Sequence, residues 1–401
     1  MPGFDRSNRN EAARTAGAVL FFIITIILIG TAVVTAQEAP VVENRFRPLM
    51  RTGPQLELVA EAGVDGPEEA MLFRPRGMFF DDEDHLYIPD WGNAAVMVYD
   101  RDGIYLRRIG RKGSGPGEIN SPAGSYISWN DELVIPDRQN QRISYFTLDG
   151  EFLRSEVMAS SNGIYIVGPS NVPTIEGEYI RAGRGTAGII ITSSSGISTS
   201  SSGPKEQPGL VEIVDEEGEV IRSFGERYVH DDSNVAGLLN QVCLAWLPPD
   251  RIAVAHSFTN EIRIYNHTSG EIEMIITRDT AFRPQEPKME MSRNTSPDGQ
   301  SVRIGLSRHA DEITVDIACD PEGRLWVITR ILDQDATGTA DENEEWDGMT
   351  RLEIFSSEGE LLAALPHDGR VKDIEFDAAG DLWMLEAVES NTARRYRVIW
   401  R

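Results

Sequence analysis

One unit of this chain is written twice. Residues 75–110 and 122–157 align without a gap at a spacing of 47. Leu86-Tyr-Ile-Pro-Asp90 matches Leu133-Val-Ile-Pro-Asp137, and Asp102-Gly103-Ile-Tyr-Leu-Arg107 matches Asp149-Gly150-Glu-Phe-Leu-Arg154. Within each copy, short apolar runs of period two are separated by turn residues, the pattern of strands. Outside the N-terminal region no helical stripe is legible. A repeat of this length cannot bury its own apolar faces, so copies must stack on one another.

The last turn counts the copies. An acidic or small residue, then Gly, then an apolar run recurs at Gly103, Gly150, Gly218, Gly270 and Gly359. Gly supplies the positive φ of a tight hairpin. Five four-stranded units follow, with strands A to D. A sixth unit starts at Val371 and stops one strand short, at Tyr396-Arg-Val-Ile-Trp400. Leu56-Glu-Leu-Val-Ala60 has the pattern of the missing strand. The expected fold is all-β: a six-bladed β-propeller closed by pairing of an N-terminal strand with the C-terminal blade, which also covers a sheet edge. The blades fall at about 75–110, 122–157, 162–225, 240–277, 313–365 and 371–401 plus 55–62, after a linker over 37–54.

Gly110-Arg-Lys-Gly-Ser-Gly-Pro-Gly-Glu-Ile-Asn-Ser-Pro122, then a run of the Leu86-Tyr-Ile-Pro-Asp-Trp-Gly-Asn93 type, resembles the NHL-repeat family, in particular secreted bacterial six-bladed propellers. The likeness is specific over 73–157, recognisable over 211–277 and 313–401, and poor over 158–210. It implies an NHL-like propeller but no single activity: the family includes protein-interaction modules, and related propellers include lyases and lactone hydrolases with metal in the central channel.

The first 36 residues read as an export signal or membrane anchor. Arg6, Arg9 and Arg14 precede an apolar run over 18–34, and Val34 and Ala36 are spaced for signal cleavage before Gln37. Uncleaved, the run is near the lower limit for spanning a bilayer. Either way the remainder is exported, periplasmic or extracellular, with membrane contact only through 18–34. The formal charge of −26 excludes nucleic acid as a partner. Cys243 and Cys319 sit in apolar strand-like runs and read as buried free thiols.

Three insertions stand out: Gly/Ser-rich 184–208, arginine-bearing 278–311 and acidic 331–347. By register the first and third join strands B and C, and the second joins D to the next A. Both connections open at one face, so that face is expected to be the working one, although surface loops also tolerate drift.

The residue ending strand B lies at the channel mouth on that face: Asp90, Asp137, His256, Thr329 and Glu386. Converging carboxylates and an imidazole can bind a cation or polar ligand, or exchange protons. For the two aspartates, capping of their own Asp-Trp-Gly-Asn and Asp-Arg-Gln-Asn turns is the competing account. His230, His256, His309 and His367 fall near the same face, without the spacing of a zinc site. A calcium-like loop runs from Asp333 through Asp335, Thr337, Thr339 and Asp341 to Glu344, with Gly338 at its sixth position. Oxygen donors at such intervals suit a hard cation. The loop departs from an EF-hand at Thr337 and at Ala340, and a solvated acidic loop would read the same way. No nucleophile elbow, Walker loop or dinucleotide fingerprint is present. The sequence therefore supports a module that binds a protein or small ligand through its long-loop face. A metal-dependent lyase or lactonase-type hydrolase at the channel mouth is the alternative.

Overall fold

The structure is a computed structural model. It describes residues 39–45, 53–64, 66–122, 124–157, 172–173, 179–182, 209–215, 220–279, 288–295, 302–309, 311–331, 349–367, 369–387 and 391–400. The chain forms two units, Met1–Ala39 and Pro40–Arg401, and every described sheet lies in the second. The expected export signal and the calcium-like loop lie outside the described residues.

Six antiparallel four-stranded meanders make the propeller. Blade 1 is Phe79–Phe80, Leu86–Asp90, Ala95–Tyr99 and Tyr105–Ile109, and blade 2 is Tyr126–Ile127, Glu132–Asp137, Arg142–Thr147 and Phe152–Val157. Blade 3 is Val172–Pro173, Tyr179–Ala182, Val211–Val214 and Val220–Phe224, and blade 4 is Val242–Leu247, Arg251–His256, Glu261–Asn266 and Ile272–Arg278. Blade 5 is Thr314–Cys319, Leu325–Ile331, Met349–Phe355 and Leu361–His367. Blade 6 takes Arg370–Phe376, Leu382–Ala387 and Asn391–Ile399 from the end of the chain and Gln55–Ala62 from its beginning. Leu56 pairs with Val398 and Leu58 with Tyr396, so both ends of the polypeptide share one sheet as the repeat count requires.

The strands follow the repeat because their faces are covered unequally. Strands B and C of blade 1 are buried at every residue, whereas strand D alternates. Inner strands lie between two neighbouring blades, and outer strands face water. Trp383 and Leu385 of blade 6 pack with Leu86, Ile88 and Met97 of blade 1. Tyr87 and Val98 of blade 1 pack in turn with Leu133, Ile135 and Phe146 of blade 2. Three more such cores join blades 3 and 4, 4 and 5, and 5 and 6. Each fully buried Leu, Ile or Phe contributes about 1.5–3 kcal/mol, and five interfaces multiply that gain.

The hairpin glycines do more than turn. Gly103 has φ +79°, and a Cβ there would lie 2.1 Å from the carbonyl oxygen of Glu61 in the outer strand of blade 6. A Cβ on Gly270 would meet Phe224, and one on Gly359 would meet Met274, each in the outer strand of the preceding blade. The repeated Gly thus lets each hairpin settle against its neighbour.

Three features depart from the sequence reading. Val41–Asn44, inside the stretch expected to be a linker, runs parallel to Ile272–Arg278 as a fifth strand of blade 4. Its Asn44 side chain bonds both Gly359 O and Leu361 N of blade 5. A short helix, Ser233–Leu239, occupies the connection before blade 4, where no helix was expected. Lys288–Thr295 and Val302–His309, within the second insertion, form a separate two-stranded ribbon. Cys243 and Cys319 are free thiols, as expected, but only Cys243 is buried and Cys319 is half-buried.

Candidate functional site

Strands B and D run the same way, so B–C and D–A connections emerge at one end of every sheet. Of the five residues expected to end strand B, Asp90, Asp137 and His256 do so, whereas Glu386 stands one residue and Thr329 two residues before the end; each is at most 1% exposed. No described hydrogen bond or ion pair joins any two of them.

Asp90 accepts N–H bonds from Gly92 and Asn93 of its own turn and from Phe73 and Arg74 of the incoming connection, at 2.7–3.1 Å. Asp137 does the same for Asn120, Ser121 and Asn140. Both carboxylates are therefore occupied as staples between two loops, a wider use of the capping anticipated from sequence. Thr329 Oγ1 donates to Glu353 at 2.9 Å and accepts from Arg278 at 3.0 Å. Arg278 also pairs with Glu353 at 3.0 Å, and Arg351 pairs with the other carboxylate oxygen, all of them buried. This network ties blade 4 to blade 5, and no spacing or motif in the chain signals it.

Glu386 accepts from Arg394 at 2.7 Å and from Tyr396 at 2.9 Å, and His367 Nε2 lies 3.3 Å away. Burial alone would raise this carboxyl, but His367, Tyr396 and Arg394 outweigh it and hold it below its ordinary range. His256 Nδ1 donates to the carbonyl of Leu239 at 3.0 Å, and Tyr228 packs edge-on with ring centroids 4.9 Å apart. Burial pushes the imidazole down to about 4, so it is neutral at pH 7 and its Nε2 has no partner among the described residues. His230 is exposed, and its Nδ1 accepts the N–H of Asp232. Among the described residues no three His, Cys, Asp or Glu side chains stand close enough together to hold a metal ion.

The same end holds a cavity of about 590 Å³ between blades 1 and 2. Trp91, Gly92 and Ala94 line it from the B–C turn of blade 1, and Arg138 and Gln139 from that of blade 2. Arg74, Lys112, Asn120 and Ser121 come from the incoming connections. Trp91 is exposed, with the Arg76 guanidinium 4.9 Å from its ring centre. Arg138 is lowered by burial and then by Arg76. Lys372, in strand A of blade 6, is lowered to about 8 by burial and then by Arg370 and Arg76. One basic patch thus runs across blades 2, 1 and 6. Sequence reading missed it because the strong negative charge of the whole chain conceals it. A usable signal existed: of only four lysines, Lys112 and Lys372 both belong to this patch.

Further down the channel, strand A carries acids. Asp316 Oδ2 accepts Ile374 N at 3.0 Å, and Asp373 Oδ2 accepts Met78 N at 2.6 Å, each reaching into the next blade. Burial raises both carboxyls, and the nearby Asp316 raises Asp373 further. Glu375 is raised to about 8 by burial and then by Asp316.

Residues 74–180 match a family described as a 6-bladed beta-propeller. No curated protein matches the chain in sequence. Among solved structures, a Bacteroides fragilis NCTC 9343 protein named as exported is similar at TM-score 0.53 and 11% identity, over 90% of this chain and 100% of its own. A duf4221 member from Bacteroides vulgatus atcc 8482 is similar at TM-score 0.51 and 10% identity, over 86% and 98%. Virginiamycin B lyase from Staphylococcus aureus aligns at TM-score 0.45 and 12% identity over 86% and 100%, too loose a match to carry function. The chain is a six-bladed β-propeller.

Proposed function

We propose that this protein is an exported, NHL-like propeller that binds a small ligand at the end of its sheets where the B–C and D–A connections emerge. The observation that carries the reading is the cavity between blades 1 and 2. It is about 590 Å³, within the size range of small-molecule sites, and combines an exposed indole with amide and cationic side chains. All three long insertions join strands at that same end. Export is supported by the apolar run over 18–34 and by the exported Bacteroides fragilis relative. The 47-residue repeat with its Gly-rich connection supports the NHL likeness.

The test is a thermal-shift screen of neutral and charged small solutes on the purified chain. At least one solute class is expected to raise Tm, and Trp91→Ala is expected to remove that rise without lowering Tm in buffer. Failure of every solute to shift Tm, or a shift that survives in Trp91→Ala, would overturn the assignment.

A further inference from the structure

We propose that the ligand of this cavity is a small oxyanion, a carboxylate, sulfate or phosphate group, held by Arg138 with Arg74 and Lys112. The inference rests on the cavity being the binding site, and it names the chemistry bound there.

The first ground is composition. The chain has 38 bases and 64 acids, so a patch of its surface taken at random should be acidic. The cavity lining has three bases, Arg74, Lys112 and Arg138, and no acid. Among the described residues no carboxylate stands in ion-pair range of these three, or of Arg370 and Lys372 close by. Asp90 is adjacent, but its oxygens are filled by backbone N–H groups. Assembling cations without counter-ions costs stability, and Lys372 and Arg138, lowered first by burial, are lowered further by the neighbouring Arg370 and Arg76 for the one and Arg76 for the other. An incoming anion would remove that cost.

The second ground is a polar group left unspent at the same place. Ser121 lines the cavity and is 1% exposed, and its hydroxyl has no hydrogen-bond partner among the described residues. Buried hydroxyls are ordinarily paired, so a ligand or a water it brings would satisfy this one. Arginine presents a planar fork that matches two oxygens of such an anion. Gln139 and Asn120 add amides suited to hydroxyl groups on the ligand's body.

Calorimetry at low salt, in a buffer free of sulfate and phosphate, tests this with four probes: sodium sulfate, sodium phosphate, glucuronate and glucose. At least one anion is expected to bind and glucose is not, with affinity falling as sodium chloride is added. Arg138→Gln should weaken the anion at least tenfold, and Arg154→Gln, on the outer strand of blade 2 and paired with Glu132, should leave it unchanged. If Arg138→Gln folds poorly, exposed Lys112→Gln replaces it, with a smaller loss expected. Sulfate or phosphate binding without glucuronate would assign a free inorganic ion, and the reverse would assign an acidic sugar. No anion binding, or binding indifferent to both variants, overturns the inference. Glucose binding as well as glucuronate, lost in Trp91→Ala and unaffected by Arg138→Gln, would sink the anion while leaving the cavity as the site.

Discussion

The carboxylate of Asp373 accepts the backbone N–H of Met78 at 2.6 Å, joining the first strand of the last blade to the residue that leads into the first strand of the first blade, across 295 residues. The equivalent position in blade 5, Asp316, grips Ile374 in blade 6, and in blade 4 the Cys243 thiol donates to Val315 O at 3.2 Å. One strand position therefore stitches blades 4, 5, 6 and 1 in sequence around the channel. Asp373→Ala would leave the Met78 donor unpaired and should cost about 2–3 kcal/mol in urea unfolding. Asp373→Asn keeps an acceptor oxygen and should lose less. Equal losses would show that charge, and not this bond, is what matters.

Glu375 makes stability depend on pH. In the unfolded chain it titrates near its ordinary 4.5, but in the fold it keeps its proton to about 8. The folded state binds more protons across that window, so the contribution is full below pH 4.5 and is lost as pH rises through about 8. Glu375→Gln should accordingly raise Tm relative to the parent at pH 8.5 by more than at pH 5. A constant offset at both pH values would refute the assignment.

His256 has the opposite sign. Its folded value of about 4 lies below the ordinary 6.5, so the unfolded chain takes up a proton first as pH falls. Stability tied to this imidazole is present above pH 6.5 and is lost between there and about 4. Acid-induced unfolding, followed by circular dichroism, should set in at lower pH in His256→Gln than in the parent.

Gly103 and Gly323 separate two costs of adding a side chain. Both have φ near +80°, but a Cβ at Gly103 strikes Glu61 O at 2.1 Å, whereas one at Gly323 meets nothing within 4 Å. Gly323→Ala should cost about 1–2 kcal/mol from backbone conformation alone. Gly103→Ala should cost clearly more, because a backbone carbonyl must move. Chemical denaturation of the two variants side by side gives the difference.

The buried Arg278–Glu353–Arg351 group offers a further comparison. Glu353→Ala takes the shared buried counter-ion from Arg278 and Arg351 and should cost about 3–5 kcal/mol. Glu132→Ala, which breaks the exposed pair with Arg154 at 2.6 Å, should cost at most about 1 kcal/mol. Similar values for both would mean that the buried group is reached by water.

The architecture was legible because it rests on local periodicity. Alternating apolar residues, recurrent turn glycines and the missing strand of the last unit led to six blades and to the pairing of segment 56–60 with the C-terminal strand, where the structure sets Leu56 opposite Val398. The site was less legible. Asp90 and Asp137 end strand B as the repeat required, yet their oxygens are taken up by loop N–H groups, a use that depends on where the incoming connection lies. Thr329 and Glu386 proved to be members of buried polar networks whose partners come from other strands and blades.

What this sequence determined by itself is the repeat, its strand order and the end at which the long connections emerge, since hydrophobic period and turn chemistry act over a few residues. Tertiary structure alone decided which charges become neighbours. Arg74, Lys112, Arg138 and Lys372 are scattered over nearly 300 residues of an acidic chain, and only the stacking of blades 6, 1 and 2 brings them to one mouth. Coulomb interactions depend on distance in space, and the linear order of residues does not carry that distance.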